Sequence, residues 1–284
     1  MVFALQKEIR IMKNTIAVLA LSAFFIFSAC KKAENNNLNE TETAAPEKFT
    51  VDSVKISDST KLSDSLTIKY SSTKLLFPTI KDKPLLDSIY FTEKNIGDFS
   101  REGLQNYLQK SKNIYFNRLR KDSKEWISDI SFSQEWYSDT AMKVKSNTKD
   151  YLQIEYFWAS YEGGAHDNYG YSERVFDLQN NKKLELKDIT SMPKEKLEAL
   201  LMKNINRTNR GTTDEKGEVN NSEMLLVDKI PATENFYFDD KNLYFHYSPY
   251  EITAFAAGDI TIPISWSELK GTLTPEFIKR MKIK

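Results

Sequence analysis

Apolar positions recur along this chain at two periods, two and three-to-four, and the change from one to the other lays out its elements. Ser65–Phe77 alternates in its first half and stops before Pro78, which predicts a strand; a first strand is expected to start near Val51. Pro84 beside Leu85, Leu86, Ile89 and Tyr90 predicts a helix start. Arg101–Lys121, introduced by Asp98-Phe99-Ser100, sets Leu104, Tyr107, Leu108, Ile114, Tyr115 and Leu119 at steps of three and four, the apolar stripe of an amphipathic helix. Trp126–Glu135 and Ala141–Asn147 alternate by two and predict two strands. In Tyr151–Ala159, Leu152, Ile154, Tyr156 and Trp158 alternate with Tyr151, Gln153, Glu155 and Phe157. Both sets become apolar, so this strand should be central or covered on two sides.

Gly163-Gly164 then supplies the backbone freedom of a turn, and Tyr171–Leu178 alternates again. Gln179–Lys182 reads as a second turn, and Lys183–Leu186 as a third short run. Ser191-Met192-Pro193 has the cap-then-proline logic of a helix start over Lys194–Asn206. Asn209–Asn221 is a polar loop. Phe236–Phe238 and Leu243–Tyr247 flank a DDKN turn as a hairpin, Ile260–Ile264 is a last strand, and Ser265–Leu269 a short helix or turn. His246 alternates with Tyr244 and Ser248, which predicts a place on the more polar face and at the surface. The fold class that follows is α+β: antiparallel sheet packed with a few helices in two small subdomains, 63–150 and 151–284.

The N-terminus changes the picture. Thr15–Phe27 is an apolar run of 13 residues behind Lys7, Arg10 and Lys13. It is shorter than the roughly 20 residues of a membrane span and fits the h-region of a signal peptide. It ends Phe27-Ser28-Ala29-Cys30, and Cys30 is the single cysteine of the chain. Small residues before a Cys resemble a bacterial lipobox, although Phe27 stands where Leu is usual. Residues 1–30 are thus expected to be a lipoprotein signal peptide, starting at Met1 or Met12, with Cys30 acylated and inserted in the lipid membrane. The expected location is the bacterial cell envelope, on a periplasmic or outer-membrane face. Residues 31–62 are polar, rich in Asn, Glu, Thr, Ser and Lys, and read as a flexible tether.

The 284 residues carry 40 basic and 40 acidic side chains, and removing residues 1–30 leaves 37 and 39. Without a basic excess, nothing points to nucleic acid. The chemistry-bearing residues cluster at the Gly-Gly turn: Tyr161, Glu162, His166, Asp167 and Tyr169. Glu162, His166 and Asp167 have the types used in general acid–base work, but no nucleophile signature accompanies them. The chain has 2 histidines. A His₂–carboxylate zinc set built on His166 and His246 is possible, and nothing in the sequence supports it. No catalytic residue, metal or cofactor is assigned. The turn is read as structural, with a binding loop that includes these five residues as the functional alternative; exposed Tyr is a frequent interface anchor.

Taken together, YEGGAH, VFDLQNNKKLELKDI and FYFDDKNLYFHYSPYEITAFAAGDITIPISWSEL resemble one family over Tyr151–Leu269. It is the extracytoplasmic domain of unknown function at the sensing end of RsiV-type anti-sigma factors, related to the N-terminal region of PdaC-type deacetylases. LLFPTIKDKPLLDSIYF resembles the smaller domain that precedes it. The resemblance implies an α+β body and, from the RsiV-type members, a lysozyme-like protein partner; a cell-wall glycan is the other ligand considered. About 15 residues follow Leu269, and no later run reaches 18 apolar residues, so neither an anti-sigma output nor a deacetylase domain is expected. The expectation is a non-enzymatic, membrane-anchored binding lipoprotein. The alternative is a cell-envelope carbohydrate or peptidoglycan hydrolase or deacetylase.

Overall fold

One six-stranded sheet collects most of the alternating segments. The structure is a computed structural model that describes residues 49–93, 96–207, 212–214 and 217–284. The stretches read as signal peptide and tether, with Cys30, lie outside the described residues up to residue 48. The sheet runs in chain order through β1 (Asp52–Lys61), β2 (Leu66–Leu76), β3 (Gln134–Thr148), β4 (Tyr151–Tyr161), β5 (Asn168–Asp177) and β6 (Lys182–Lys183). Neighbours are antiparallel except β2 and β3, which are parallel. A parallel pair needs a long crossover. Here it is α1 (Lys83–Ile89) and α2 (Arg101–Asp122).

The helices cover one face. Leu66, Ile68 and Tyr70 of β2 pack with Tyr115, Phe116 and Leu119 of α2, while Leu152, Ile154 and Tyr156 of β4 join α1 and the first half of α2. Asp82 and Ser100 cap the two helices through their side chains, as short polar residues at that position do. The α2 stripe is shifted from its sequence reading. Phe116 is buried and Ile114 is 59% exposed. Lys112 occupies the stripe instead, its stem covered and its ammonium 2.5 Å from Asp58 of β1.

The opposite face of β4 and β5 receives the C-terminal half of the chain. This half holds α3 (Leu186–Ile189), α4 (Lys194–Asn204), a small hairpin of β7 (Thr212–Asp214) and β8 (Gly217–Val219), an antiparallel sheet of β9 (Phe236–Phe238), β10 (Asn242–Tyr247) and β11 (Ile260–Ser265), and α5 (Pro275–Met281). Tyr151 and Val175 of the large sheet join Leu197, Leu201, Phe236, Phe245, Ile262 and Phe277 in this second core. The chain is thus α+β with antiparallel sheet and packed helices. The boundary read at 150/151 falls in the turn Lys149-Asp150, where both residues have positive φ, as two-residue hairpin turns require. The strands on either side pair along their lengths, so the two halves share one sheet.

Three sequence readings are corrected. The stretch to Leu62 read as tether is strand from Asp52 onward, the strand expected near Val51. Of the run Trp126–Glu135 only Gln134 and Glu135 belong to a strand, as the start of β3, and Trp126–Ser133 is not strand. It holds a short 3₁₀ turn at Ile127–Asp129, and Phe132 is 67% exposed, because the chain is crossing from the helical layer back to the sheet. Ala141–Asn147 belongs to the single strand β3. The polar loop of 209–221 contains β7 and β8.

Side chains join the two sheets by substituting for a strand. Among the described residues the outer edge of β5 has no strand partner beyond the two residues that pair with β6. Asn235 donates to the Tyr171 carbonyl at 3.1 Å and accepts from the Glu173 N–H, while Ser248 Oγ accepts from the Tyr171 N–H at 2.9 Å. Deeper in, Gln153 donates to the Phe238 carbonyl and accepts from its N–H, both at 2.8 Å, with 2% of the residue exposed. Buried backbone groups left unpaired cost roughly 1–3 kcal/mol each. Gln153→Ala is therefore expected to lower unfolding stability by about 2–3 kcal/mol, read as a fall in the urea midpoint with an unchanged m-value.

Candidate functional site

The two signature segments meet in space. The turn between β4 and β5 carries Gly163 and Gly164, with φ of 91° and 115°, a region that penalises side chains. The loop between β10 and β11 carries Tyr250, also at positive φ, and a 3₁₀ turn over Phe255–Ala257 closed by Gly258. His166 from the first loop stacks on Phe255 from the second at 4.0 Å between centroids, and Tyr250 and Tyr169 close on the same Phe255 ring at 5.6 and 5.7 Å. His166 Nε2 lies 3.3 Å from the Tyr250 hydroxyl. Pairs at these spacings each contribute about 0.5–1.5 kcal/mol beyond their burial. The patch nevertheless stays open to solvent, with Tyr250 56% exposed and Trp158, which lines the cleft beside it, 46% exposed.

Of the five residues singled out in the sequence, only His166 and Tyr169 belong to this patch. Glu162 turns to the helical layer, where Arg118 of α2 holds it through both guanidinium nitrogens, one at 3.1 Å. Asp167 accepts from Tyr137 of β3 at 2.7 Å. Tyr161 donates to the Gly164 carbonyl at 3.0 Å and braces the turn. Glu162, His166 and Asp167 therefore do not converge on one point. The sequence reading missed Trp158, Tyr250 and Phe255. A Gly at position 170, mid-strand and facing Trp158 across the ladder, was the available signal for the first.

Beneath the patch lies a buried charge cluster. Glu155 and Glu173 face each other directly across β4 and β5, an arrangement that repels. The β3 ladder slips between Val144 and Ser146, and the extra residue in that bulge is Lys145. Its ammonium reaches Glu155 at 3.1 Å and Glu173 at 2.5 Å, and lies 3.6 Å from the Tyr237 ring centre. The polar face of β10 packs onto this cluster, so His246, read as a surface residue, is 3% exposed. Its Nδ1 lies 2.9 Å from Glu173 and its Nε2 3.0 Å from Asp259, with Tyr171 stacked on the ring at 4.8 Å. Burial alone would lower the imidazole pKa, but the hydrogen bonds to Asp259 and Glu173 outweigh it and hold it above its ordinary value. The same contact to His246 lowers the Asp259 carboxyl. Burial likewise opposes the Lys145 ammonium, and the charge of Glu173 outweighs it, raising the Lys145 pKa. Among the described residues no cluster of three or more His, Cys, Asp or Glu side chains could hold a metal ion, and both nitrogens of His246 already face carboxylates.

Tyr171 links the cluster to the surface. It lies 6.1 Å from Tyr169 and 5.2 Å from Phe157, so an aromatic run connects His246 to Phe255 and His166.

Comparison with known proteins places this half of the chain. Residues 186–267 match the model of a family described as a protein of unknown function, DUF3298. No curated protein matches the chain. Among solved structures, a DUF3298 family member from Bacteroides fragilis NCTC 9343 is 24% identical, covers 83% of this chain and 98% of its own, and superposes with a TM-score of 0.67. A DUF3298 family protein from Pseudomonas aeruginosa PAO1 is 15% identical over 82% of this chain and 97% of its own, with a TM-score of 0.50. These likenesses show the fold. The matched residues contain α4, the three-stranded sheet and the Tyr250–Phe255 loop, whereas the Gly-Gly turn lies outside them.

The charge cluster makes stability depend on pH. The folded His246 pKa lies above 6.5, so its contribution is complete below pH 6.5 and fades as pH rises through the folded value. That of Asp259 is present above its ordinary 3.8 and is lost as pH falls through its lowered folded pKa. Urea midpoints of the wild type should fall from about pH 6 to about pH 9, and His246→Gln should flatten that slope.

Proposed function

We propose that this protein is a non-enzymatic binding module of the bacterial cell envelope, tethered to a membrane through acylated Cys30, whose ligand is met by the aromatic patch. One observation carries the reading: Tyr250 stands about half exposed beside the stacked His166 and Phe255 rings, and the half-exposed Trp158 lines the same cleft. Rigid aromatic side chains with few rotamers to lose are favoured where a surface binds. The resemblance to RsiV-type sensing domains supports a lysozyme-like protein or a cell-wall glycan as ligand. Membrane tethering is supported by the signal-peptide pattern before Cys30 and by the polar stretch after it; among the described residues no helix is long and apolar enough to cross a membrane.

Two experiments test this. Calorimetry of the full chain against lysozyme and against peptidoglycan fragments should give a dissociation constant of about 1 μM or tighter for one of them, weakened about ten-fold or more by Tyr250→Ala. Absence of binding to both, or binding indifferent to Tyr250→Ala, defeats the patch as the ligand surface. For the anchor, cells fed a radiolabelled fatty acid should label the wild type and not Cys30→Ser; equal labelling would remove Cys30 from the reading.

A further inference from the structure

Trp158 is an exposed side chain for which the strand makes room. It sits on the helical face of the large sheet, directly opposite Gly170 of β5. A Cβ at position 170 would come within 2.8 Å of the indole Nε1, 2.9 Å of Cε2 and 3.0 Å of Cζ2. Only glycine lets the indole lie against the β5 backbone. Glycine inside a strand weakens it and gives nothing to pack, and it often marks a close approach. Here that close approach leaves the indole 46% exposed, so it adds little to the core. Among the described residues the indole N–H has no hydrogen-bond partner.

The surroundings define what such a platform would accept. On the same face, the neighbouring cross-strand rows are Ser138, Ser160 and Asn168 on one side and Met142, Tyr156 and Ser172 on the other, with Thr140 beside the indole. None of these side chains is ionised. Trp158 and Tyr250 also line one open cleft of about 270 Å³, reached by Asn168 and Ser172 from β5 and by Glu251. Among the described residues Glu251 is the single carboxylate that lines it. A protein partner seated on a Trp anchor would find apolar neighbours or complementary charge around it. This indole is bordered instead by the hydroxyl and amide groups of Ser138, Thr140, Ser160, Asn168 and Ser172, with Met142 and Tyr156 the exceptions. The rest of the cleft wall is mainly the rings of Tyr169, Tyr171 and Phe255, with Pro249.

We infer that the cleft between Trp158 and Tyr250 binds a neutral oligosaccharide, with the C–H face of a pyranose ring on the Trp158 indole and its hydroxyls on the surrounding Ser and Asn side chains. The inference rests on the binding-module reading and narrows its ligand to one class.

The test uses the full chain in a detergent without a sugar head group, titrated calorimetrically with neutral tetrasaccharides of glucose, N-acetylglucosamine and mannose, and in parallel with lysozyme. At least one tetrasaccharide should bind. Trp158→Ala and Gly170→Ala should each weaken it about ten-fold or more, the second by displacing the indole without deleting it. Trp158→Tyr keeps a ring at the site and should retain more of the affinity than Trp158→Ala, which guards against a variant that fails to fold; urea midpoints identify such a variant. Tetrasaccharide binding unchanged in Trp158→Ala and Gly170→Ala overturns the platform. Lysozyme binding with no tetrasaccharide binding overturns the glycan inference and leaves the binding module standing. No binding to any of these probes overturns the glycan inference, and the binding-module reading falls with it if the peptidoglycan fragments also fail to bind.

Discussion

The pairing of His246 with Glu173 is the contact on which the arrangement of the two sheets depends. Glu173 brings a carboxylate, with no side-chain exposure, to a face where it already opposes Glu155. Left alone, such a pair would push β4 and β5 apart. The bulge at Lys145 supplies one cation from within the large sheet, and β10 supplies the imidazole from the small one. A buried ion pair is weak evidence of net stability, because desolvation offsets much of the attraction. Its geometric content is stronger. The imidazole finds carboxylates on both sides only when β10 lies over β5 in this register. Any other seating of the small sheet would strand a buried charge, which costs several kcal/mol.

This dependence explains which parts of the molecule were legible in the sequence. Strands buried on apolar faces declared themselves by alternation, and β2, β4, β10 and β11 lie where it put them. The Gly-Gly turn and the DDKN hairpin were legible from backbone chemistry. The polar interlayer was not. Alternation sorts side chains onto two faces but cannot say that a polar face will be covered, so His246 was placed at the surface. Lys145 was hidden for a related reason. A bulge breaks the two-residue period, and the residue it re-aims looks like any other exposed lysine.

The candidate site was half legible. His166 and Tyr169 lie in the segment that drew attention, and they do meet an aromatic surface. Glu162 and Asp167, five residues apart and chemically suggestive, are committed to Arg118 and Tyr137, partners 44 and 30 residues away. Proximity along the chain grouped residues that the turn then splayed apart. Tyr250 and Phe255 come from a loop some 84 residues from His166 and are joined to it only by the pairing of the sheets. The surface patch is therefore a product of the polar interlayer beneath it.

The outer edge of β5 has one more consequence. A strand with unmatched N–H and C=O groups invites another chain to extend the sheet, and an extended sheet of copies is the start of a fibre. Asn235 and Ser248 occupy those groups with side-chain atoms, which cannot hand the pattern on to a further strand. At the far end of the sheet lies the ten-residue β1, whose Val54 is buried but whose Asp52, Lys55, Asp58 and Lys61 are exposed, a run of charges that discourages stacking. Growth is thus stopped chemically at one end and electrostatically at the other. The amide of Asn235, which touches no exposed ring of the patch, bears on whether copies of this chain stay separate.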